Sequence, residues 1–503
     1  MLHTTRVPPT LTVRSCHRSS VSQFALVCLL LWTTSAIAQL PSNVTKALVE
    51  AGIPESSVGI VAQPLDAPRP TLNVGGSAAL NPASTMKLLT TFAALEILGP
   101  AYTWQTEIWS LAAPKNGVLD GDLYIKGNGD PKLTYEQFWR LLRQTRDAGI
   151  TEIRGEVIQD RSAFEPITTA PGDFDGQPMR PYNVPPDALL VNFNAISLTL
   201  IAEGNSVRVS VQPLPANLRI DNQLSVNQRA TDCGEWRKAL SADLVPGEPQ
   251  MRLKLTGKYP AVCNEQQWNL APLPPFDYVA GVFGALWAEL GGKSVLKSRP
   301  NSPRLVSVPG QAYRVTSLSS PSLGEIVRDI NKHSNNVMAR QILMTLALNS
   351  GKSPARASDG EVVIRNWLAS RGLDFPELVI DNGAGLSRNE RISAANLVRL
   401  LKAAWGSAVM PEFIASLPIV AVDGTMKKRL NEVPANGEGG SIKGQAHIKT
   451  GSLDGVKSMA GYVLDKNGRR WALAFMVNHP NAAQSRLAQD ALLEWLYNGG
   501  NLP

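Results

Sequence analysis

The chain has 503 residues and a formal charge of +7, and 44% of its residues are hydrophobic while 18% are charged. This length exceeds one ordinary core, so we expect two or three domains, and the composition argues against disorder. The sequence has no dense lysine and arginine run interleaved with aromatic residues, so we expect no nucleic-acid partner.

The N-terminal residues have the pattern of a secretory signal. A basic segment precedes the apolar stretch FALVCLLLW at 24–32, which is too short to span a bilayer. AIA at 36–38 then offers a cleavage site after about Ala38, so we expect a signal peptide at 1–38 and a periplasmic mature protein. An uncleaved membrane anchor is the alternative. No later run of 18 apolar residues follows, so we expect peripheral membrane contact or none.

The mature chain opens with two strands and a helix. SSVGIVAQPL and TLNVGG predict strands joined by the turn DAPRP. ALNPASTMKLLTTFAAL (79–95) predicts an apolar helix that Asn81 can cap, with Pro82 in its first turn. Ser84 therefore lies close to a helix N-terminus, where partial positive charge favours a developing anion.

Between about 108 and 312, short strand-like runs alternate with glycine, proline and asparagine turns, which predicts one or two β-rich domains. Cys233 and Cys263 lie here, and an even pair in an exported protein favours a disulfide over two free thiols. These cysteines and the histidines of the mature chain show no metal-ligand spacing. We therefore expect no structural metal and no cofactor.

Helical patterns return after 313. Ser322 and Glu325 have capping spacing, and two helices flank the polar joint HSNN at 333–336. AHIKTGSL, SMAGYVLD and RRWALAFMVN predict three successive strands, and QSRLAQDALLEWLY predicts a final helix. The mature chain begins with strands and a helix and ends with helices, strands and a helix. This order predicts one discontinuous α/β domain formed by both ends of the chain.

Ser84 and Lys87 form an S-x-x-K motif whose members share a helix face, so the hydroxyl and the amine can meet. A helix that only packs on a core has little use for a lysine on its buried side. S-x-x-K also occurs at Ser294 and Lys297, but without a helical pattern, and we interpret that copy as chance.

Two further motifs follow in order along the chain. Ser334 and Asn336 form S-x-N between two helices, and K-T-G begins at Lys449 on a predicted strand. S-x-N also occurs at 225–227 and 387–389, and such triplets are usually solvated polar residues. The ordered set of three is that of the penicillin-recognising serine acyl-transfer enzymes.

The chemistry explains these residue types. A serine hydroxyl needs a base, and no Ser-His-Asp arrangement suggests itself, so Lys87 is the candidate. Burial and the neighbouring Lys449 can lower its pKa. Ser334 can relay a proton, Asn336 can hold a substrate amide, and the Lys449–Thr450 edge can bind a carboxylate. The backbone N–H groups of Ser84 and Ser452 can form an oxyanion hole if the strand lies beside the helix.

The sequence resembles the class C low-molecular-mass penicillin-binding proteins, the D-alanyl-D-alanine carboxypeptidase/endopeptidase family, over nearly all of the mature chain. ALNPASTMKLLTT, GDLYIKGNGDPKL, HSNNVMARQIL, DNGAGLSRNERIS, LPIVAVDGTMKKRL and HIKTGSLDGVKSMAGYV carry the likeness, as does the gap of roughly 250 residues between Ser84 and Ser334. The resemblance implies an α/β fold, with a discontinuous β-lactamase/transpeptidase-like domain and two β-rich inserted domains. We expect the catalytic domain to span 39–108 and 313–503, the second domain 109–188 and 286–312, and the nested third domain 189–285.

The resemblance implies a serine DD-peptidase that cleaves peptidoglycan stem peptides as a carboxypeptidase, an endopeptidase or both, through an acyl-serine that penicillins also form. The resemblance implies that Ser84 is the nucleophile and Lys87 its base, and that Ser334 and Asn336 are the catalytic residues of the S-x-N motif. It also implies that substrate is bound by Lys449, Thr450, Gly451 and Ser452. Two alternatives remain. The length of the insert and the lack of an assignable deacylating glutamate argue against a β-lactamase, and the intact motifs argue against an inactive penicillin-binding scaffold or sensor.

The expected partners are stem peptides and β-lactams, and a homodimer is compatible with a sequence that does not fix the oligomeric state. Some relatives carry an inserted-domain aspartate that contacts the amino end of the peptide side chain. That position falls near Gln177, with Asp173 and Asp175 close by, so the diamino acid of the stem peptide stays open. For Asp381 and Asp423, both in glycine-containing turns, we expect structural roles.

Overall fold

The computed structural model describes residues 39–247, 249–294, 306–431 and 441–501. The predicted signal peptide at 1–38 lies outside them. The α-helices of the described residues are α1 Ser42–Glu50, α2 Lys87–Leu98, α3 Tyr135–Asp147, α4 Pro275–Glu289, α5 Leu323–His333, α6 Asn336–Asn349, α7 Ala357–Ser370, α8 Ala394–Trp405, α9 Met410–Ser416 and α10 Arg486–Tyr497. The strands are β1 Val58–Pro64, β2 Leu72–Val74, β3 Gln105–Ser110, β4 Val118–Leu119, β5 Leu123–Lys126, β6 Glu152–Ile153, β7 Val157–Asp160, β8 Ile196–Glu203, β9 Ser206–Gln212, β10 Leu218–Asn227, β11 Leu240–Val245, β12 Met251–Pro260, β13 Glu265–Leu270, β14 Lys293–Ser294, β15 Tyr313–Ser319, β16 Ala446–Leu453, β17 Val456–Leu464 and β18 Arg470–Asn478.

A five-stranded antiparallel sheet joins the two ends of the chain in the order β16-β17-β18-β1-β2. The central strand β18 is an almost continuous buried run because both of its faces are covered. Leu473 and Phe475 face a core that includes α1 and α10, while Ala472 and Ala474 face the core of the larger helical layer. The predicted C-terminal strands and the mixed α/β class are confirmed.

Helix α2 runs through the helical layer and packs against α5, α6, α7 and α9. Its first nine residues are buried, which explains why its pattern is apolar on every side. Lys87, the first residue of this helix, is 0% exposed. A lysine held there loses its hydration, so its position has a strong effect on its charge.

The described residues form three more sheets, with six, four and three strands. The six- and three-stranded sheets lie within the predicted insert, whereas the four-stranded sheet also includes β3 and β15 at its two boundaries. The predicted strand runs are present, but α3 and α4 were not anticipated. In α3 the buried residues Phe138, Leu141, Leu142 and Thr145 have helical spacing. Helix α4 is buried on most sides and gives no clear period. The region therefore contains helices as well as strands, and its division into two domains stays a prediction.

Cys233 and Cys263 are joined by a disulfide, as expected. The bond ties the segment before β11 to the turn after β12, beside the six-stranded sheet. Among the described residues, none of the helices has the length and apolarity needed to cross a membrane. The same residues present no group of three or more His, Cys, Asp or Glu side chains arranged to hold a metal ion.

Candidate active site

Ser84 lies in a 3₁₀ turn, Ala83–Met86, that leads directly into α2. The sequence predicted one continuous helix, but the chain is wound more tightly over these four residues. Just before them, Asn81 Oδ1 accepts a hydrogen bond from Ala83 N–H at 2.9 Å. Pro82 occupies the N-cap position of this turn without a side-chain cap, so the prediction of Asn81 as the cap and Pro82 in the first turn is wrong; Asn81 instead accepts from the N–H of the first residue of the turn. Lys87 Nζ is 3.0 Å from Ser84 Oγ, so the expected hydroxyl–amine contact is present.

The amine of Lys87 has three partners in a fully buried position. Besides Ser84 Oγ, it donates to Asn336 Oδ1 at 2.6 Å and to the carbonyl oxygen of Ala384. A neutral amine has two N–H groups and one lone pair. If the asparagine and the carbonyl take the two N–H groups, the lone pair is left for the serine hydroxyl.

The electrostatic surroundings favour that neutral form. Burial lowers the pKa of Lys87 well below 10.5, and the positive charges of Lys449 and, to a smaller extent, Arg340 lower it further. The negative charge of Glu390 acts in the opposite direction. Lys87 therefore has the environment that a general base requires.

The S-x-N motif lies at the joint between two helices, as predicted. Helix α5 ends at His333, and Ser334 has a left-handed backbone with φ of 55°. Asn335 then caps α6 by accepting from Met338 N–H at 3.0 Å. The sharp reversal lets Ser334 face the strand β16 while Asn336 faces Lys87.

Lys449 connects the K-T-G strand to this joint. Its Nζ donates to Ser334 Oγ at 2.8 Å and to the carbonyl oxygen of Thr450 at 2.7 Å. The side chain is 0% exposed, and burial lowers its pKa to about 7. Lys87 thus bonds Ser84 and Asn336, Lys449 bonds Ser334, and the two groups adjoin at the S-x-N motif.

Gly451 allows strand β16 to approach the 3₁₀ turn that contains Ser84. A side chain there would meet Ser458 Oγ, the carbonyl oxygen of Pro82 and the backbone nitrogen of Ser84. Ser458 Oγ also donates to that Pro82 carbonyl at 2.5 Å, which fixes the approach. The strand therefore lies beside the turn, as the oxyanion hypothesis requires.

The edge of β16 that faces away from β17 is partly paired, and its hydrogen bonds show the direction of the backbone groups. On that edge Ile448 N–H donates to Pro418 O at 2.8 Å, and Ala446 O accepts from Val420 N–H at 2.9 Å. The backbone N–H and C=O groups of successive residues point to alternate edges of an antiparallel strand. Those of Thr450 and Ser452 therefore point to the same edge as those of Ala446 and Ile448. This edge is the one beside which a substrate would lie.

Sequence reasoning missed Glu390 and the backbone of the turn before it. Glu390 is 0% exposed and accepts from the N–H groups of Asn382 at 3.1 Å and Gly383 at 3.0 Å. These bonds hold the turn whose Ala384 carbonyl accepts from Lys87. Burial raises the pKa of Glu390 to about 7. Its only sequence signal was its place in the block DNGAGLSRNERIS.

The other singled-out residues lie away from this cluster or serve local structure. Asp381 accepts from Ser387 Oγ at 2.5 Å, and Asp423 pairs with Lys332 at 2.7 Å. Ser225 lies on β10 of the six-stranded sheet and Ser294 on β14, whereas Lys297 falls outside the described residues. Asp175 accepts from Tyr182 OH at 2.7 Å and Gln177 N–H at 3.0 Å.

Two cavities have Ser334 in their walls. One, of about 430 Å³, also includes Ser84, Thr425 and Thr450, and a hydrogen bond of 2.8 Å joins the two threonine hydroxyls. The other, of about 450 Å³, includes Asn336 and the inserted-region residue Trp268. A substrate at Ser84 can therefore lie in the first cavity, and Ser334 connects that cavity to the second.

In this site a lysine lies beside the serine where other serine enzymes have a histidine, and the helix that carries it packs beside an antiparallel sheet. This arrangement defines the class of penicillin-recognising serine acyl transferases. Comparison with known proteins narrows this class. Residues 40–498 match the D-Ala-D-Ala carboxypeptidase 3 (S13) family, and the chain belongs to that family. The predicted family and the serine D-Ala-D-Ala carboxypeptidase class are confirmed.

The relatives agree with this assignment. The chain is 25% identical to D-alanyl-D-alanine carboxypeptidase DacB of Haemophilus influenzae, over 87% of this chain and 88% of that protein. It is 28% identical to the D-alanyl-D-alanine carboxypeptidase of Actinomadura sp. strain R39, over 83% and 77% respectively. The crystal structure of penicillin binding protein 4 (dacB) from Haemophilus influenzae matches with a TM-score of 0.73 and 24% identity, over 90% of this chain and 99% of that one.

Proposed function

We propose that the protein hydrolyses the D-Ala-D-Ala end of peptidoglycan stem peptides with Ser84 as nucleophile and Lys87 as base. The hydroxyl proton passes to Lys87 Nζ as Oγ attacks the carbonyl carbon of the penultimate D-Ala. The C–N bond then breaks, the leaving amine takes that proton, and water later releases the acyl group from Ser84. The 3.0 Å contact between Lys87 and Ser84, with two other acceptors for the amine, is the observation that carries this proposal.

The remaining motif residues complete the mechanism. The N–H groups of Ser84 and Ser452 receive the oxyanion, and Asn336 orients the substrate amide. Ser334, whose Oγ accepts from Lys449 and which lines the same cavity as Ser84, relays the proton to the leaving amine. Lys449 and Thr450, with Gly451 allowing the close approach, bind the terminal carboxylate, which makes their side of Ser84 the leaving-group side.

Carboxypeptidase and endopeptidase reactions are the same chemistry with different leaving amines, so we propose that one site performs both. Penicillins acylate Ser84 because they mimic the acyl-D-Ala-D-Ala end. We further propose export through residues 1–38 to the periplasm, where the wall is accessible, with peripheral membrane contact or none. A homodimer stays a prediction that analytical ultracentrifugation can check.

Labelling by a fluorescent penicillin, followed over hours beside D-Ala release from a pentapeptide, tests the mechanism. We expect stable labelling of the wild type, none in Ser84→Ala and almost none in Lys87→Arg, because arginine stays protonated. Ser294→Ala is the matched control and should label normally. Rapid loss of label from the wild type would indicate a β-lactamase, and no label a scaffold. Near-normal labelling of Lys87→Arg would exclude lysine as the base.

A further inference from the structure

The cavity on the leaving-group side of Ser84 is strongly cationic. Its lining includes Lys428, Arg429, Lys457 and Arg486, together with Gln489, and contributes no aspartate or glutamate among the described residues. These cations come from three separate parts of the chain: the segment after the VDGT turn, strand β17 and helix α10. The fold therefore brings together positive charges that are distant in sequence.

Few negative charges compensate this cluster. Asp490, which lies behind the cavity, pairs with Arg429 and is 3.7 Å from Arg486. Within the described part of the chain, Lys428 has no ion-pair partner. Lys457 donates to Ser452 Oγ at 2.8 Å, and burial, followed by the charges of Arg429 and Arg486, lowers its pKa. An anion entering the cavity would relieve this repulsion.

A buried donor accompanies the cations. Gln489 is only 3% exposed, and its Oε1 accepts from Arg429 Nη1 at 3.4 Å. Its Nε2 has no hydrogen-bond partner among the described residues. Buried donors are normally satisfied, so an unpaired amide in the wall of a cationic cavity indicates a site for an acceptor ligand.

We propose that this cationic cavity binds the carboxylates of a second stem peptide and so determines specificity for cross-link cleavage. The inference rests on the proposed function, which puts the leaving group on the Thr450 side. A single D-Ala brings one carboxylate, which the Lys449–Thr450 edge takes. Cross-link cleavage releases a whole stem peptide, which has carboxylates beyond the scissile amide. Lys428, Lys457 and Arg486 line the cavity on this side of Ser84 and can bind those carboxylates.

The size of the cavity fits this role. About 430 Å³ lies within the range of pockets that enclose a small ligand. Charge-assisted hydrogen bonds between lysine or arginine and a carboxylate are roughly twice as strong as neutral ones. Loss of one such contact should therefore reduce the rate with a ligand that uses it by about tenfold or more.

The test compares two substrates on the same enzyme: a monomeric pentapeptide, which loses D-Ala, and a cross-linked muropeptide dimer. For Lys428→Gln and Lys457→Gln we expect kcat/KM for the dimer to fall about tenfold further than kcat/KM for the monomer, mainly through KM. Lys428→Arg should restore the ratio of the two activities. Lys352→Gln removes an exposed lysine that does not line the cavity, and we expect it to change neither rate.

Ionic strength gives an independent readout. Added salt should slow dimer cleavage by the wild type more than D-Ala release, and this difference should shrink in Lys428→Gln. If the variants left the ratio of dimer to monomer kcat/KM unchanged, the proposal would be overturned while the peptidase mechanism stayed intact. Wild-type protein that released no D-Ala and was not labelled by penicillin would instead show that the proposed function had failed. Folding is controlled by the melting temperature of each variant.

Discussion

The positive charge of Lys449 should cost the protein a large part of its stability. The side chain is fully buried, and its pKa falls from 10.5 to about 7. A tenfold change in a protonation equilibrium corresponds to ~1.4 kcal/mol, so holding this lysine protonated costs roughly 5 kcal/mol. Replacing it by methionine, which has a similar length and no charge, removes that cost.

The replacement also removes two hydrogen bonds, to Ser334 Oγ and to the Thr450 carbonyl. Each contributes about 1 kcal/mol, so Lys449→Met should be more stable by about 3 kcal/mol in mildly acidic buffer. Unfolding entropy near 60 °C is ~2 cal/mol/K per residue, and for a chain of this length the gain corresponds to a rise of roughly 3 °C in Tm.

The sign of the pH dependence follows from the lowered pKa. Between about pH 7 and pH 10.5 the unfolded chain keeps a proton on Lys449 that the folded chain has lost, so wild-type stability rises with pH in this window. Below about pH 7 both states are protonated and the cost is fully present. The advantage of Lys449→Met should therefore be largest near pH 6 and disappear towards pH 10.5.

Differential scanning calorimetry of the wild type and Lys449→Met at several pH values measures this difference. Lys352→Met, in which an exposed lysine is replaced, is the matched control and should show no such trend. A lower Tm for Lys449→Met at both ends of the pH range would refute the reasoning. So would a gain in Tm that does not depend on pH.

Two further predictions concern the missed glutamate and the disulfide. In Glu390→Gln the amide oxygen can still accept from Asn382 and Gly383. The negative charge that Glu390 carries above about pH 7, which raises the pKa of Lys87, is gone. The rise of the penicillin acylation rate with pH should therefore occur at lower pH than in the wild type. A shift of this rise to higher pH, or no shift, would contradict the prediction. Cys233→Ser with Cys263→Ser opens a loop of 30 residues and should lower the free energy of unfolding by roughly 3–4 kcal/mol, on chain-entropy models. Calorimetry should show the loss while penicillin acylation persists, and an unchanged Tm would contradict the expected stabilisation.

The parts of the site that sequence predicted are those fixed by local geometry. The pair of Ser84 and Lys87 needs only the spacing of one helical turn. The joint at 333–336 and the K-T-G strand were visible because each is bounded by strong helix or strand patterns. Their meeting in one place was inferred from the ordered set of motifs, since no local rule connects Lys87 to Asn336 across 249 positions.

The parts that sequence did not predict depend on tertiary contacts. The carbonyl of Ala384 reaches Lys87 from 297 positions away, and a backbone acceptor has no residue-type signal at all. Glu390 looked like one more charged residue in a polar turn, and only the fold buries it. Helix α3 had a readable period that was overlooked among strand-like runs, whereas α4 is apolar on most sides and could not be separated from a strand by period.

The two buried lysines make sense as a coupled pair under the proposed function. Burial lowers the pKa of each lysine, and the charge on Lys449 further lowers the pKa of Lys87. A substrate carboxylate beside Lys449 would raise the pKa of that lysine above about 7 and keep it protonated. The adjacent cation would then hold Lys87 neutral at the moment when the carbonyl lies beside Ser84. A histidine base needs no such partner, so burying Lys449 is the stability cost of using lysine as the base.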